Sequence, residues 1–467
     1  MNQFLRKLVL LSTFVAASLT AAEKPNILII FTDDQGYADL GCFGSEENQT
    51  PVLDKLAKEG TKFTSFYAQP VCGPSRSALL TGRYPARSKG WGMPASEITF
   101  AEMLKETGYQ TACVGKWDVS NRQPIIPRMP NAQGFDYYYG TLGGNGSGKI
   151  DLYENNKKER TTEDMASLTR LYTNKAIDFL EKQRDPEKPF ILYLAHTMTH
   201  TVVDASPKFK EKTGDNLYRA AVEELDYETG RLLNKLNQLN LSKNTLVIYT
   251  SDNGPWNQPK YINGGAKNDH PENSIFWGDA GEFRDGKASI WEGGAHVPCV
   301  MRWPGKIAAG KTNDGLMATI DFLPTLAAVT GAKIPDERVI DGVNQLGFIC
   351  GKSETARETY IYNPGSASVQ TKLVQGNAIR EGNWKLISPL TVGWFLEDAG
   401  TGSWELYNLK EDIGETKNLA KQYPEKVEHL KKLLQSSEAK FPKVKPRPKG
   451  KAKTKAKQKK KKGKTTP

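Results

Sequence analysis

The sequence predicts an α/β fold: a large mixed, mostly parallel sheet sandwiched by helices, followed by a smaller C-terminal α+β subdomain. Three observations carry this. Nearly continuous apolar runs of strand length stand at residues 26–31, 190–194 and 245–249, as strands buried on both faces require. Helical periodicity fills the intervals between them. Beyond residue 371 the pattern shortens into brief strands and one helix.

Taken in order, residues 1–22 carry Arg6 and Lys7, an apolar run over 8–17 and mostly small residues over 18–22. That order is the mark of a secretory signal peptide. The mature chain is therefore expected to be secreted or periplasmic. A catalytic domain is expected over 23–370. It holds strands at 26–31, 109–114, 190–194, 245–249 and 297–301 and helices at 52–58, 100–106, 166–182 and 217–239. The subdomain, 371–440, shows strands at 383–387 and 404–409 and a helix over 425–434. Residues 441–467 form a Lys-rich tail with no packing pattern and are expected to be disordered.

Hydrophobic residues make up 38% and charged residues 25% of the 467, an ordinary globular balance. No internal segment is apolar enough to span a bilayer. The net charge of +11 sits in the tail, where residues 443–464 hold thirteen Lys or Arg and no acid. The folded part is thus near neutral, which argues against a nucleic-acid partner. The tail reads as a solubilising segment that could contact an anionic polymer or surface.

Five cysteines fit no zinc spacing, and the odd number marks one thiol with another task. Cys42, Cys113 and Cys299 read as buried small hydrophobes. Cys72 differs. Pro74 suits the first turn of a helix continuing through 77–80, which sets Cys72 just before a helix N-terminus. A thiolate there would be activated. These features alone also fit a structural cysteine ahead of a helix.

In open α/β sheets, ligands bind beyond the carboxyl ends of the strands. Asp33-Asp34 follow the first strand, and Asp252-Asn253 follow the one near 248. Such oxygen donors suit Ca²⁺ or Mg²⁺ rather than zinc. Either pair alone would more often be a helix cap than a ligand, but two pairs, each directly after a strongly apolar strand, favour the metal. Lys116 and Asp118 follow the strand near 114, and His196 and His200 the strand near 192.

The run from Cys72 to Arg83, Cys-Gly-Pro-Ser-Arg-Ser-Ala-Leu-Leu-Thr-Gly-Arg, resembles the signature of the type I, formylglycine-dependent sulfatases of the alkaline-phosphatase superfamily. The likeness extends through Asp33 to Gly36, Gly115-Lys116-Trp117, Ser251 to Gly254 and Lys287 ahead of Glu292-Gly293-Gly294. It implies that a maturation enzyme converts Cys72 to formylglycine, whose hydrate is the nucleophile. It further implies that Asp33, Asp34, Cys72, Asp252 and Asn253 hold Ca²⁺, with Mg²⁺ possible. Arg76 would steady the modified residue, and Lys116, His200 and Lys287 would grip sulfate. Asp252 would take the attacking proton, and His200 or Lys287 would protonate the leaving alcohol.

One position departs from the family pattern. Asp118 stands where Gly-Lys-Trp is usually followed by His, and it is expected to act as the base that releases sulfate. His296 stands where the family often has Arg. His196, His270 and His429 are expected at the surface or behind the ligands. The resulting function is hydrolysis of sulfate esters, with sulfated carbohydrates as the expected substrates. A phosphonate monoesterase or phosphodiesterase of the same superfamily and a non-catalytic anion-binding homologue are the competing readings. Loops 122–148 and 256–284 are the expected sources of specificity.

Overall fold

A computed structural model of the chain describes residues 24–214, 216–256, 278–364, 376–389 and 401–442. The signal-peptide expectation, His270, most of loop 256–284 and the Lys-rich tail beyond 442 lie outside the described residues. In chain order the strands are Asn26–Thr32 (β1), Thr61–Phe63 (β2), Phe66–Tyr67 (β3), Gln110–Lys116 (β4), Tyr137–Thr141 (β5), Ile150–Glu154 (β6), Lys157–Thr162 (β7), Phe190–Ala195 (β8), Thr245–Ser251 (β9), Cys299–Arg302 (β10), Lys311–Asn313 (β11), Met317–Ala318 (β12), Thr359–Ile361 (β13), Ala378–Glu381 (β14), Trp384–Ile387 (β15) and Glu405–Asn408 (β16).

Ten of these form one sheet in the order β11-β2-β10-β9-β1-β8-β4-β5-β6-β7. Its centre, β9-β1-β8-β4-β5, is parallel. β10 runs antiparallel beside β9, and β6 and β7 close the far edge as a hairpin. β1 explains the apolar runs. Ile27, Ile29 and Phe31 face one core, and Leu28 and Ile30 face another, all fully buried. Helices Cys72–Thr81, Phe100–Lys105 and Phe322–Thr330 contribute Leu79, Leu104 and Leu326 to the first core. Helices Pro51–Glu59, Leu168–Asp178 and Leu217–Gln238 contribute Leu56, Tyr172 and Leu232 to the second. Burying each such side chain contributes roughly 1.5–3 kcal/mol.

Within the ten-stranded sheet the sequence reading missed β2, β5, β6, β7 and β11. β7 is Lys-Lys-Glu-Arg-Thr-Thr and almost wholly exposed, so it carries no apolar alternation. The signal present was the Asn155-Asn156 turn, with Asn155 at φ +52°.

β13-β14-β15-β16 form a separate antiparallel sheet against which helix Pro424–Glu438 packs. Its first strand lies upstream of the expected boundary at 371. Lys385 pins this sheet to the large domain. It is fully buried between Glu292, at 2.9 Å, and Glu415, at 2.7 Å.

Candidate active site

β1, β4, β8 and β9 are parallel, so their carboxyl ends open on one edge of the sheet. Asp33, Asp34, Lys116, Asp118, His200, Asp252 and Asn253, all singled out by sequence, converge there. Asp33 and Asp34 follow β1. Asp34 sits at φ +61°, in the left-handed region. That turn lets two successive carboxylates serve one cluster, where an extended strand would send them to opposite faces. Asp252 Oδ1 accepts from the Asp34 amide at 3.2 Å, and Asn253 Nδ2 donates to Asp34 Oδ1 at 2.7 Å. Gly115, at φ +109°, lets β4 pass close to β8 before Lys116 emerges. A Cβ there would stand 1.8 Å from the Ala195 carbonyl oxygen.

Cys72 is the first residue of helix Cys72–Thr81, rather than the residue before it, and only 2% exposed. Its Sγ and one carboxylate oxygen each of Asp33 and Asp252 lie within 4.8 Å of one another. Burial, opposed in part by Lys116, pushes the thiol up to about 12. The encoded side chain is thus a protonated thiol, and burial outweighs the activation that a helix N-terminus would give a thiolate.

Cations enclose the acids. Lys116 Nζ donates to Asp33 Oδ2 at 2.6 Å. Lys287 Nζ reaches both oxygens of Asp34, at 2.6 and 2.7 Å. Arg76 donates through Nε and Nη2 to Asp252 Oδ2, at 3.0 and 2.7 Å, and through Nη1 to the Lys116 carbonyl. Arg76 therefore acts on Cys72 by way of Asp252 and Lys116. Burial opposes ionisation of Asp33, yet the surrounding cations, Lys116 foremost, hold it well below the usual carboxylate range. Burial and the charge on Asp33 push Asp252 up to about 7, with Arg76 and Lys116 opposing.

Two fully buried oxygens in this cluster, Asp33 Oδ1 and Asn253 Oδ1, accept no hydrogen bond among the described residues. A buried carboxylate oxygen and a buried amide oxygen left unpartnered, beside two further carboxylates, suit a hard cation. The donor set therefore fits the ion that the sequence implied.

The His200 side chain is 12% exposed, and desolvation together with Lys287 lowers it to about 4, so its ring is neutral at neutral pH. Its Nδ1 contacts the Thr201 carbonyl, which can only accept. Nδ1 thus carries the hydrogen, and Nε2, 3.8 Å from Asp34 Oδ2, is a bare acceptor.

Asp118 is fully buried, at φ +54°, and faces the cluster. Trp91 Nε1 donates to its Oδ2 at 3.0 Å and Arg122 Nε to its Oδ1 at 2.7 Å, with Lys116 Nζ 3.7 Å away. Burial would raise it, but Lys116 and Arg122 pull it to about 2. Trp91 and Arg122 were missed from sequence. The one available signal was the spacing of four residues from Asp118 to Arg122.

His196 is buried rather than at the surface, the other of the two places expected for it. His296 is buried against Glu292 and the Thr64 carbonyl. His429 is exposed and contacts Glu381. Cys113 and Cys299 are buried, whereas Cys42 is only partly so.

Comparison with known proteins then places this geometry. Residues 25–332 match the family described as Sulfatase, and residues 279–440 match the C-terminal region of N-sulphoglucosamine sulphohydrolase. Rat (Rattus norvegicus) arylsulfatase G is 30% identical, over 91% of this chain and 88% of its own length. Mouse (Mus musculus) N-acetylgalactosamine-6-sulfatase is 36% identical, over 73% and 69%. A solved structure from the metabolism of multiple glycosaminoglycans by Bacteroides thetaiotaomicron superposes with a TM-score of 0.76 at 27% identity, over 90% of this chain and all of that one.

Proposed function

We propose, from the premise that this chain belongs to the sulfatase family and is a sulfuric ester hydrolase, that it cleaves sulfate esters of carbohydrates through a formylglycine made from Cys72. One observation carries the reading: a buried, protonated thiol heads a helix within 4.8 Å of two strand-end carboxylates, amid Arg76, Lys116 and Lys287. A thiol held at about 12 is a poor nucleophile as encoded. Formylglycine, as its hydrate, supplies one hydroxyl for attack on sulfur and a second whose proton goes to Lys287, left neutral after protonating the leaving alcohol, as the C–O bond to sulfate breaks and the aldehyde returns.

Asp33, Asp34, Asp252, Asn253 and the modified Cys72 would hold Ca²⁺. When bound, the ion supplies electrostatic stabilisation of the charge on the sulfate oxygens. Lys116 and Lys287 add fixed positive charge where negative charge builds in the transition state. Asp252, steadied by Arg76, takes the proton of the attacking hydroxyl. Lys287 gives the leaving alcohol its proton, because His200 Nε2 has none to give. His200 instead accepts a hydrogen bond from the substrate. Asp118 holds Lys116 and Arg122 in place, and we assign it to positioning rather than to proton removal. Both its oxygens already accept from donors, and a carboxylate near 2 is a weak base.

The test is mass spectrometry of the peptide spanning Cys72 from protein co-expressed with a maturation enzyme. Conversion lowers the mass by about 18 Da, a shift set by covalent chemistry. Matured protein should release sulfate from sulfated saccharides in preference to phosphate from matched phosphate esters. Release by Cys72→Ala protein at the matured rate would overturn the reading. We further propose that the mature enzyme acts outside the cytoplasm, which N-terminal sequencing of exported protein, starting near residue 23, would test.

A further inference from the structure

A cavity of about 770 Å³ adjoins the catalytic cluster, lined among others by Arg122, Gly143, Gly144, Lys149, Lys158 and His200. Its size falls in the range of roughly 300–1,000 Å³ of small-molecule sites. His200 belongs to both spaces. Gly144 lies between them: a methyl built on it would stand 3.5 Å from Lys116 Nζ and 3.8 Å from His200 Cε1. A group bound in the cavity is thus a near neighbour of the group held by Lys116 and His200.

The lining is cationic. Lys149 pairs with Glu163 and Lys158 with the lining acid Asp151, but all four side chains are at least 43% exposed. Such pairs are worth about 0–1 kcal/mol and exchange readily for another anion. Arg122 is different. Its Nε is fixed on the buried Asp118 carboxylate at 2.7 Å, while half its side chain is exposed. Among the described residues neither Nη has a hydrogen-bond partner. A guanidinium anchored at one edge with its other donors open is prepared for a two-oxygen acceptor.

We infer that this cavity is a subsite for a second anionic group, a sulfate or a carboxylate, on the saccharide whose sulfate ester is cleaved, with Arg122 as its main ligand. The inference deepens the carbohydrate sulfatase reading and rests on it. It makes the preferred substrate polyanionic and links the subsite to Lys116 through Asp118.

Calorimetry on full-length Cys72→Ala protein tests it without turnover. One arm compares D-glucosamine 2-N,6-O-disulfate with N-acetyl-D-glucosamine 6-O-sulfate. The other compares a monosulfated uronate disaccharide with its carboxyl-reduced form. In at least one arm the second anion should tighten Kd about tenfold, one charge-assisted contact in affinity. Adding Arg122→Met should bring that ratio within about twofold of unity. If Arg122→Met does not fold, Arg122→Lys should still lower the ratio at least about threefold, since it keeps the charge without the fork. Equal or absent affinity within both pairs, or a ratio untouched by the Arg122 variants, overturns the subsite. Sulfate release by matured wild-type protein reads the catalytic proposal separately, so either can fail alone.

Discussion

Replacing His196 with Leu should remove a proton-linked weakness of the fold. His196 follows β8, is 1% exposed, and neither ring nitrogen has a hydrogen-bond partner among the described residues. Burial lowers it from 6.5 to about 3. The unfolded chain therefore takes this proton near pH 6.5 and the folded chain only near 3. Between those values the unfolded state binds more protons, so stability falls as pH falls. The penalty is absent above pH 6.5, reaches about 2 kcal/mol at pH 5, and approaches roughly 4–5 kcal/mol near pH 3 at 1.36 kcal/mol per pH unit. Leu loses no hydrogen bond and is similar in volume, so at pH 7 the two proteins should agree within about 1.5 kcal/mol. Urea unfolding at pH 5, 6 and 7 measures the difference. The variant should gain on the wild type by about 2 kcal/mol between pH 7 and 5. Parallel curves for the two proteins over that range would show that His196 is protonated, or partnered, in the native state.

Three further outcomes are expected. Lys385→Met leaves Glu292 and Glu415 buried without their shared cation, and should cost about 3–5 kcal/mol in denaturant unfolding; a loss below about 1 kcal/mol would mean that the pair relaxes without it. Asp118→Asn keeps an acceptor for Trp91 or Arg122 and should lower kcat about tenfold without moving the acid limb of the pH–rate profile. A loss near a thousandfold with that limb abolished would restore Asp118 as a base. Chelation by EGTA should abolish sulfate release and lower Tm, with Ca²⁺ restoring both; at 100 times its dissociation constant a native-state ligand adds about 2.7 kcal/mol. A Tm indifferent to Ca²⁺ would remove the ion from the acid cluster.

The parallel core and the acid cluster were legible because each rests on local signals. A strand buried on both faces must be apolar throughout, and the residues just past its end must face the ligand edge. Hence Asp33, Asp34, Lys116, His200, Asp252 and Asn253 could be picked out singly and found together. The polar edge strand β7 carried no such signal. Nor did the Glu292–Lys385–Glu415 tie, which joins residues 93 and 30 positions apart along the chain. The protonation state of the Cys72 thiol was not legible, for a related reason. Helix position is readable from Pro74, but the burial that keeps the thiol protonated comes from chain segments distant in sequence.

The left-handed turn at Asp34 sets which repairs this site would accept. The separation of the two neighbouring carboxylates is fixed by main-chain torsion, not by side-chain reach. Asp34→Glu would therefore overshoot, however conservative it looks. Asparagine tolerates the same torsion, so Asp34→Asn isolates the loss of one negative charge with the loop shape retained. Alanine would change charge and backbone preference together, and the paired comparison apportions the two.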